Sequence, residues 1–93
     1  MAQSRESLEA RRKRLAYRSH HRGSKEMDLM MGSFADKFLP AFGPRELAEY
    51  ERIMTCDDPE LYDWLLGHTP VPHELQNGTM ECLCRHVREQ FVR

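Results

Sequence analysis

Long apolar runs are missing from this chain. Its uncharged central stretches, such as LMMGSFA between Asp28 and Asp36, fall far short of the ~20 apolar residues that a membrane-spanning helix needs. No apolar segment follows the N-terminal Met, as a secretory signal would require. Glycine is scarce, at five residues, and none of the five forms a phosphate-cradling loop pattern. Cysteine is odd in number: Cys56, Cys82 and Cys84 fit reduced thiols better than a disulfide framework. Strand-type alternation, internal repeats and low-complexity tracts are also absent. Transmembrane, secreted and disulfide-stapled classes are therefore set aside.

What remains is helical. Ninety-three residues suffice for one small domain with a single core, expected to be a compact all-α bundle of about five short helices, with residues 1–6 a flexible N-terminus. A first helix is predicted over Ser7–His21 with a thin apolar face of Leu8, Leu15 and Tyr17. Gly23 fits a helix stop in left-handed geometry, and Ser24 can cap the next helix. Met27, Met30, Met31, Phe34 and Phe38 then make one buried stripe that ends before Pro40. Pro44 opens a third helix with Leu47, Tyr50, Ile53 and Met54 on one side. In DDPELYDWLLG, Asp58 is expected to cap, Pro59 to take the first helical position, Leu61, Trp64 and Leu65 to face inward, and Gly67 to terminate. A last helix starts near His73 or after Gly78 and buries Met80, Leu83, Cys84, Val87 and Phe91.

The net charge of -1 conceals a strong polarity. Residues 1–26 carry eight Lys/Arg against three Asp/Glu, residues 27–74 three against ten, and residues 75–93 three against two. A basic front and an acidic middle can orient a charged partner without identifying it.

No constellation carries catalysis. Cys82 and Cys84 lie about 200° apart around a helix, so they cannot share a metal ion. Cys82 and His86 do share a face, but two ligands close no zinc site; core or half-buried thiols beside a surface histidine is the simpler reading. Ser24 lacks the nucleophile-elbow pattern, and no carboxylate pair has a context for matched acid and base roles. Glu46, Glu49 and Asp57 read as solvated faces and caps. A nucleic-acid-binding regulator is the alternative: RRKR with Arg18 and Arg22 could neutralise several phosphates, against a simple solubilising basic face.

The stretch RSHHRGSKEMD admits three readings. Gly23 is a helix stop beside a surface Arg22–Glu26 ion pair; or the cations contact phosphate; or the corner docks a protein, with open main chain at Gly23 and Arg22 and Glu26 projecting on either side. The motif Arg22-Gly23-x-x-Glu26, preceded by Tyr17-Arg18 and followed by Asp28 and LMMGSFAD, resembles the signature of the SdhE-like family, the FAD assembly (flavinylation) factors of succinate dehydrogenase. CDDPELYDWLLGH, with Cys56, Asp57, Asp58, Pro59, Leu61, Trp64 and Leu65, is similar to that family's second segment. The resemblance spans residues 15–68, and the helical tail agrees in length and character; the first fourteen residues and HELQNGTMECLC depart from the pattern, and no family role is carried over onto them.

The resemblance implies a small helical protein that binds the flavoprotein subunit of succinate dehydrogenase, and in some bacteria of fumarate reductase, and promotes covalent attachment of FAD to a histidine of that client. It implies that Arg22, Gly23 and Glu26 belong to the docking surface, flanked by Arg18 and Asp28. No enzymatic activity, no metal, no stably bound cofactor, no nucleic acid and no membrane insertion are expected. With only about twenty residues ahead of Arg22, and Glu6 and Glu9 among them, a bacterial cytoplasm is expected rather than a mitochondrial matrix.

Overall fold

A computed structural model describes residues 6–92. Five α-helices run in order: α1 Leu8–Ser19, α2 Lys25–Phe38, α3 Pro44–Met54, α4 Asp58–Leu65 and α5 Gly78–Phe91. Single 3₁₀ turns at Leu39–Ala41 and His73–Leu75 link α2 to α3 and lead into α5. The all-α expectation holds. The flexible N-terminus expected over 1–6 lies outside the described residues except for Glu6, whose carboxylate accepts two bonds from Arg14.

Local chemistry sets the boundaries. The Ser7 and Ser24 hydroxyls accept the N–H groups of Ala10 and Met27, satisfying donors that the first helical turn leaves free. Pro40 falls in the 3₁₀ turn, so α2 stops ahead of it as predicted. The start of α5 resolves to Gly78, because the Asn77 side chain caps Met80 N–H at 2.8 Å. Two expectations shift. Helix α1 ends at Ser19 with His20 as its cap, so Gly23 is not the stop but part of the connector. Asp57, not Asp58, precedes α4; Asp58 is its first residue, which frees its side chain for another use.

The core follows the apolar stripes. Met27, Met30, Met31 and Phe34 of α2, Leu47, Tyr50, Ile53 and Met54 of α3, Leu61, Trp64 and Leu65 of α4, and Met80, Leu83 and Val87 of α5 are all buried. From α1 only Leu15 among the apolar residues is buried; Leu8 and Tyr17 face outward, because α1 meets the bundle along one narrow line. Phe34 is the hub, stacked on Phe38 at 4.7 Å and on Tyr50 at 5.5 Å and meeting Phe42 and His86 edge-on. Phe38 is only half-buried, and Phe91, at the last turn of α5, keeps 41% of its surface exposed instead of joining the core.

Two buried polar clusters escaped the pattern reading. The Ser19 hydroxyl donates to Leu15 O at 2.7 Å, so Tyr50 Oη, 2.6 Å away, donates to Ser19. Burial pushes the Tyr50 phenol up to about 12. His86, expected on the surface, is 6% exposed: it sits on α5 next to Val87 and packs its ring among Phe34, Phe38 and Phe91, with Nε2 2.9 Å from Ser33 Oγ. Burial, then Lys37, lower its pKa, while Glu89 opposes them weakly.

A depressed imidazole stays neutral in the folded state while the unfolded chain takes up a proton. Stability is therefore full above the unfolded value of about 6.5 and declines as pH falls from there to the folded value. Urea midpoints measured between pH 8 and 5 should show this decline, and His86→Leu should flatten it relative to the parent. Parallel curves for the two proteins would remove His86 as its source.

Candidate functional site

The α1–α2 connector is a corner that the rest of the bundle grips from below. Arg22 does the gripping. Its Nε and Nη2 donate to Asp58 Oδ1 at 2.9 and 2.7 Å, Nη1 donates to Met54 O at 2.8 Å, and Nη2 also reaches Cys56 O at 3.0 Å. Met54 is the last residue of α3, so the guanidinium satisfies carbonyls at that helix's negative end while pairing with the first residue of α4. The side chain is 11% exposed. Asp28, one turn into α2, reaches back: its Oδ1 accepts the main-chain N–H of Arg22 and, at 3.2 Å, that of Gly23. A single carboxylate oxygen thus holds two successive amides.

Gly23 has φ +124°, outside the range that L side chains readily adopt. Space is not the constraint, because a Cβ there would meet only Asp58 Oδ2, at 3.9 Å. A substitution would be strained through the backbone alone.

The five residues expected at the site therefore divide. Arg22 and Asp28 lie beneath the corner with their polar groups turned inward. The expected Arg22–Glu26 ion pair does not form, nor does Arg22 project; Asp58 and the carbonyls of Met54 and Cys56 take its donors. Gly23, Glu26 and Arg18 are exposed on the outer side, with His21, Ser24 and Lys25 around them. Among the described residues, no opposite charge lies within ion-pair distance of Arg18, Lys25 or Glu26. His21 stacks on exposed Tyr17 with ring centroids 4.1 Å apart, and its Nδ1 is 2.7 Å from Tyr17 O. A shallow recess runs between His21, Gly23, Ser24, Lys25, Asp28 and Leu29.

Sequence reasoning missed Asp58 as Arg22's partner, and it missed Leu29. The second was detectable: Leu29 lies two positions from Met27, about 200° around the helix and off the buried stripe. Half of Leu29 is exposed, at 54%.

The basic first helix is mostly engaged within the bundle. Arg11 and Arg14 pair with Glu51, Arg14 also with Glu6, Lys13 loosely with Glu9, and Arg12 donates to Phe42 O at 2.8 Å. The bond from Arg14 holds the Glu51 carboxyl below the usual carboxylate range. Cations held this way are poorly placed to neutralise a row of phosphates, and the nucleic-acid alternative loses its main support. The thiols take no metal-binding arrangement: Cys84 is buried and Cys56 and Cys82 half-buried, burial raises all three pKa values, and no cluster of three or more potential ligands occurs among the described residues.

Comparison with known proteins gives the family. Residues 13–87 match the model of a family described as the flavinator of succinate dehydrogenase. The chain belongs to that family. It is 42% identical over 69 residues to the FAD assembly factor SdhE of Acetobacter pasteurianus, covering 74% of this chain and 63% of the relative. It is 35% identical over 85 residues to the mitochondrial succinate dehydrogenase assembly factor 2-A of Drosophila mojavensis, covering 89% and 54%. To the mitochondrial assembly factor 2 of Drosophila grimshawi it is 36% identical, covering 89% and 58%. The chain thus spans between half and two thirds of the length of these relatives. The matched region includes the corner, the Arg22–Asp58 clamp and all of α2, α3 and α4, so the family likeness covers the whole gripped corner.

The clamp makes a stability prediction. Arg22→Ala should cost about 2–3 kcal/mol, because it strands a partly buried carboxylate and the carbonyls of Met54 and Cys56. Glu26→Ala, four residues away and exposed, should leave the urea midpoint where it was. Equal midpoints for all three proteins would show that Arg22 is no clamp.

Proposed function

We propose that the chain is an assembly factor that docks the flavoprotein subunit of succinate dehydrogenase through the α1–α2 corner and promotes covalent attachment of FAD to it. The observation that carries this reading is the division of the motif: Arg22 and Asp28 fix the corner from within, while Gly23, Glu26 and Arg18 are left open outside. Family membership supplies the client class, since the relatives are named for FAD or succinate dehydrogenase assembly. The fumarate reductase subunit, a related flavoprotein, is a second candidate client.

In this reading the chain performs no bond chemistry. The flavin stays with the client, and the factor binds one client conformation, with flavin and acceptor histidine aligned, more tightly than the others. A rigid corner suits that task, because a preorganised surface loses little entropy on binding. Gly23 lets a client segment approach the main chain closely, and Glu26 and Arg18 set its orientation by opposite charges. A bacterial cytoplasm is the compartment we favour, supported by the higher identity to the Acetobacter factor than to the mitochondrial ones. No helix among the described residues is long and apolar enough to cross a membrane.

Purified flavoprotein subunit incubated with FAD should acquire covalent flavin faster when this protein is added, read as in-gel flavin fluorescence. Glu26→Ala should lose most of that acceleration while keeping its helical circular dichroism. Gly23→Leu should lose it too, at a stability cost of about 1–3 kcal/mol from the strained backbone. Identical flavinylation rates with and without the wild-type protein would end this reading.

A further inference from the structure

Beyond Glu26 the outer surface continues into a second recess. It is a small cleft of about 180 Å³ lined by Glu26, Leu29 and Met30 of α2, Tyr62 and Leu66 of α4 and its cap, and Phe91 at the end of α5. Its volume is on the order of the ~150 Å³ cavity that admits a benzene ring. Leu29 is 54% exposed and Phe91 41%, two large apolar side chains of the lining left partly in water. Leu29 also borders the recess beside Gly23. One side chain is thus the shared wall of both, and the surface runs unbroken from His21 past Glu26 to Phe91.

We propose that this cleft receives one large apolar side chain of the flavoprotein subunit, with a neighbouring Lys or Arg of that subunit on Glu26. The proposal rests on the docking function above and adds a specific anchor to it. Three features select this occupant. The walls are mostly apolar, so the inserted group is leucine-, methionine- or phenylalanine-like. The carboxylate at the mouth lacks a cationic partner among the described residues, so a cation complements it. The cleft is continuous with the docking corner, so a segment seated on Gly23 extends into it without leaving the surface. A second copy of this chain fits worse. A two-fold contact centred here would bring the two Glu26 carboxylates together, and like charges oppose it.

The test uses the full chain and the purified flavoprotein subunit. Leu29→Ser and Phe91→Ser change side chains that are 54% and 41% exposed, the second at the last turn of α5, so both should keep the parent's circular dichroism. Each should weaken binding, followed by fluorescence anisotropy of the labelled factor, by roughly 10-fold. A chain with p-benzoylphenylalanine in place of Phe91 should give, on irradiation of the purified mixture, a one-to-one adduct with the subunit; this readout does not depend on either serine variant folding. If wild type binds and Glu26→Ala weakens binding, but both serine variants bind as tightly as wild type and no adduct forms, the cleft is empty in the complex and only this proposal falls. An adduct between two copies of the factor would assign the cleft to self-association and overturn it as well. Failure of the wild-type protein to bind the subunit at all would remove the docking function and the anchor together.

Discussion

One guanidinium holds the architecture of the outer corner. Arg22 enters the junction where α3 ends and α4 begins, and four of its contacts there lie between 2.7 and 3.0 Å. Lysine could not replace it: an ammonium has three donors on a flexible stem, whereas the planar fork reaches a carboxylate and two carbonyls at once. Because Arg22 is anchored through its side chain and Asp28 holds its amide, the next residue has little freedom. Gly23 is driven to φ +124°, and a residue without Cβ is what that turn accepts.

The same interaction sorts the surface charges. Cations of α1 are drawn onto Glu6, Glu9, Glu51 and the Phe42 carbonyl, and Arg22 onto Asp58, so three cations of the basic front, Arg11, Arg14 and Arg22, pair with two carboxylates of the acidic middle inside one molecule. Arg18, Lys25 and Glu26 stay outside that pairing. A turn presenting a few charges that are unpaired among the described residues, beside exposed Tyr17 and Leu29, has the composition of a docking surface: polar groups for orientation, apolar groups for affinity. It is also consistent with a factor that acts by selecting a client's shape, since selection requires a surface that does not itself yield.

Polar groups inside the bundle show where pattern reading stops. Helical periodicity identifies which residues turn inward but weighs Ser19 and His86 as polar and places them outside. Both are buried because each finds a hydrogen-bond partner on another helix, Ser19 with Tyr50 and His86 with Ser33. Those partners are 31 and 53 residues away in the chain, and no local rule pairs them. Phe91 fails in the opposite sense: it keeps the period of α5, but the neighbouring helices do not cover the last turn.

Helix number and type, the methionine and phenylalanine stripe, the stops at Pro40 and Gly67 and the cap at Ser24 were legible in the order of residues, because they depend on contacts within a few positions. The family resemblance carried by Arg22-Gly23-x-x-Glu26 and by the Asp57-Asp58-Pro59 segment was legible too, as two separate signatures. Only the tertiary structure joined them. Arg22 and Asp58 are 36 residues apart, and their pairing follows from the packing of α1, α3 and α4, which brings one helix's exposed carbonyls and the next helix's first carboxylate under the same turn. Whether a charged side chain faces a partner or its own core depends on such long-range geometry, and a string of residues does not contain it.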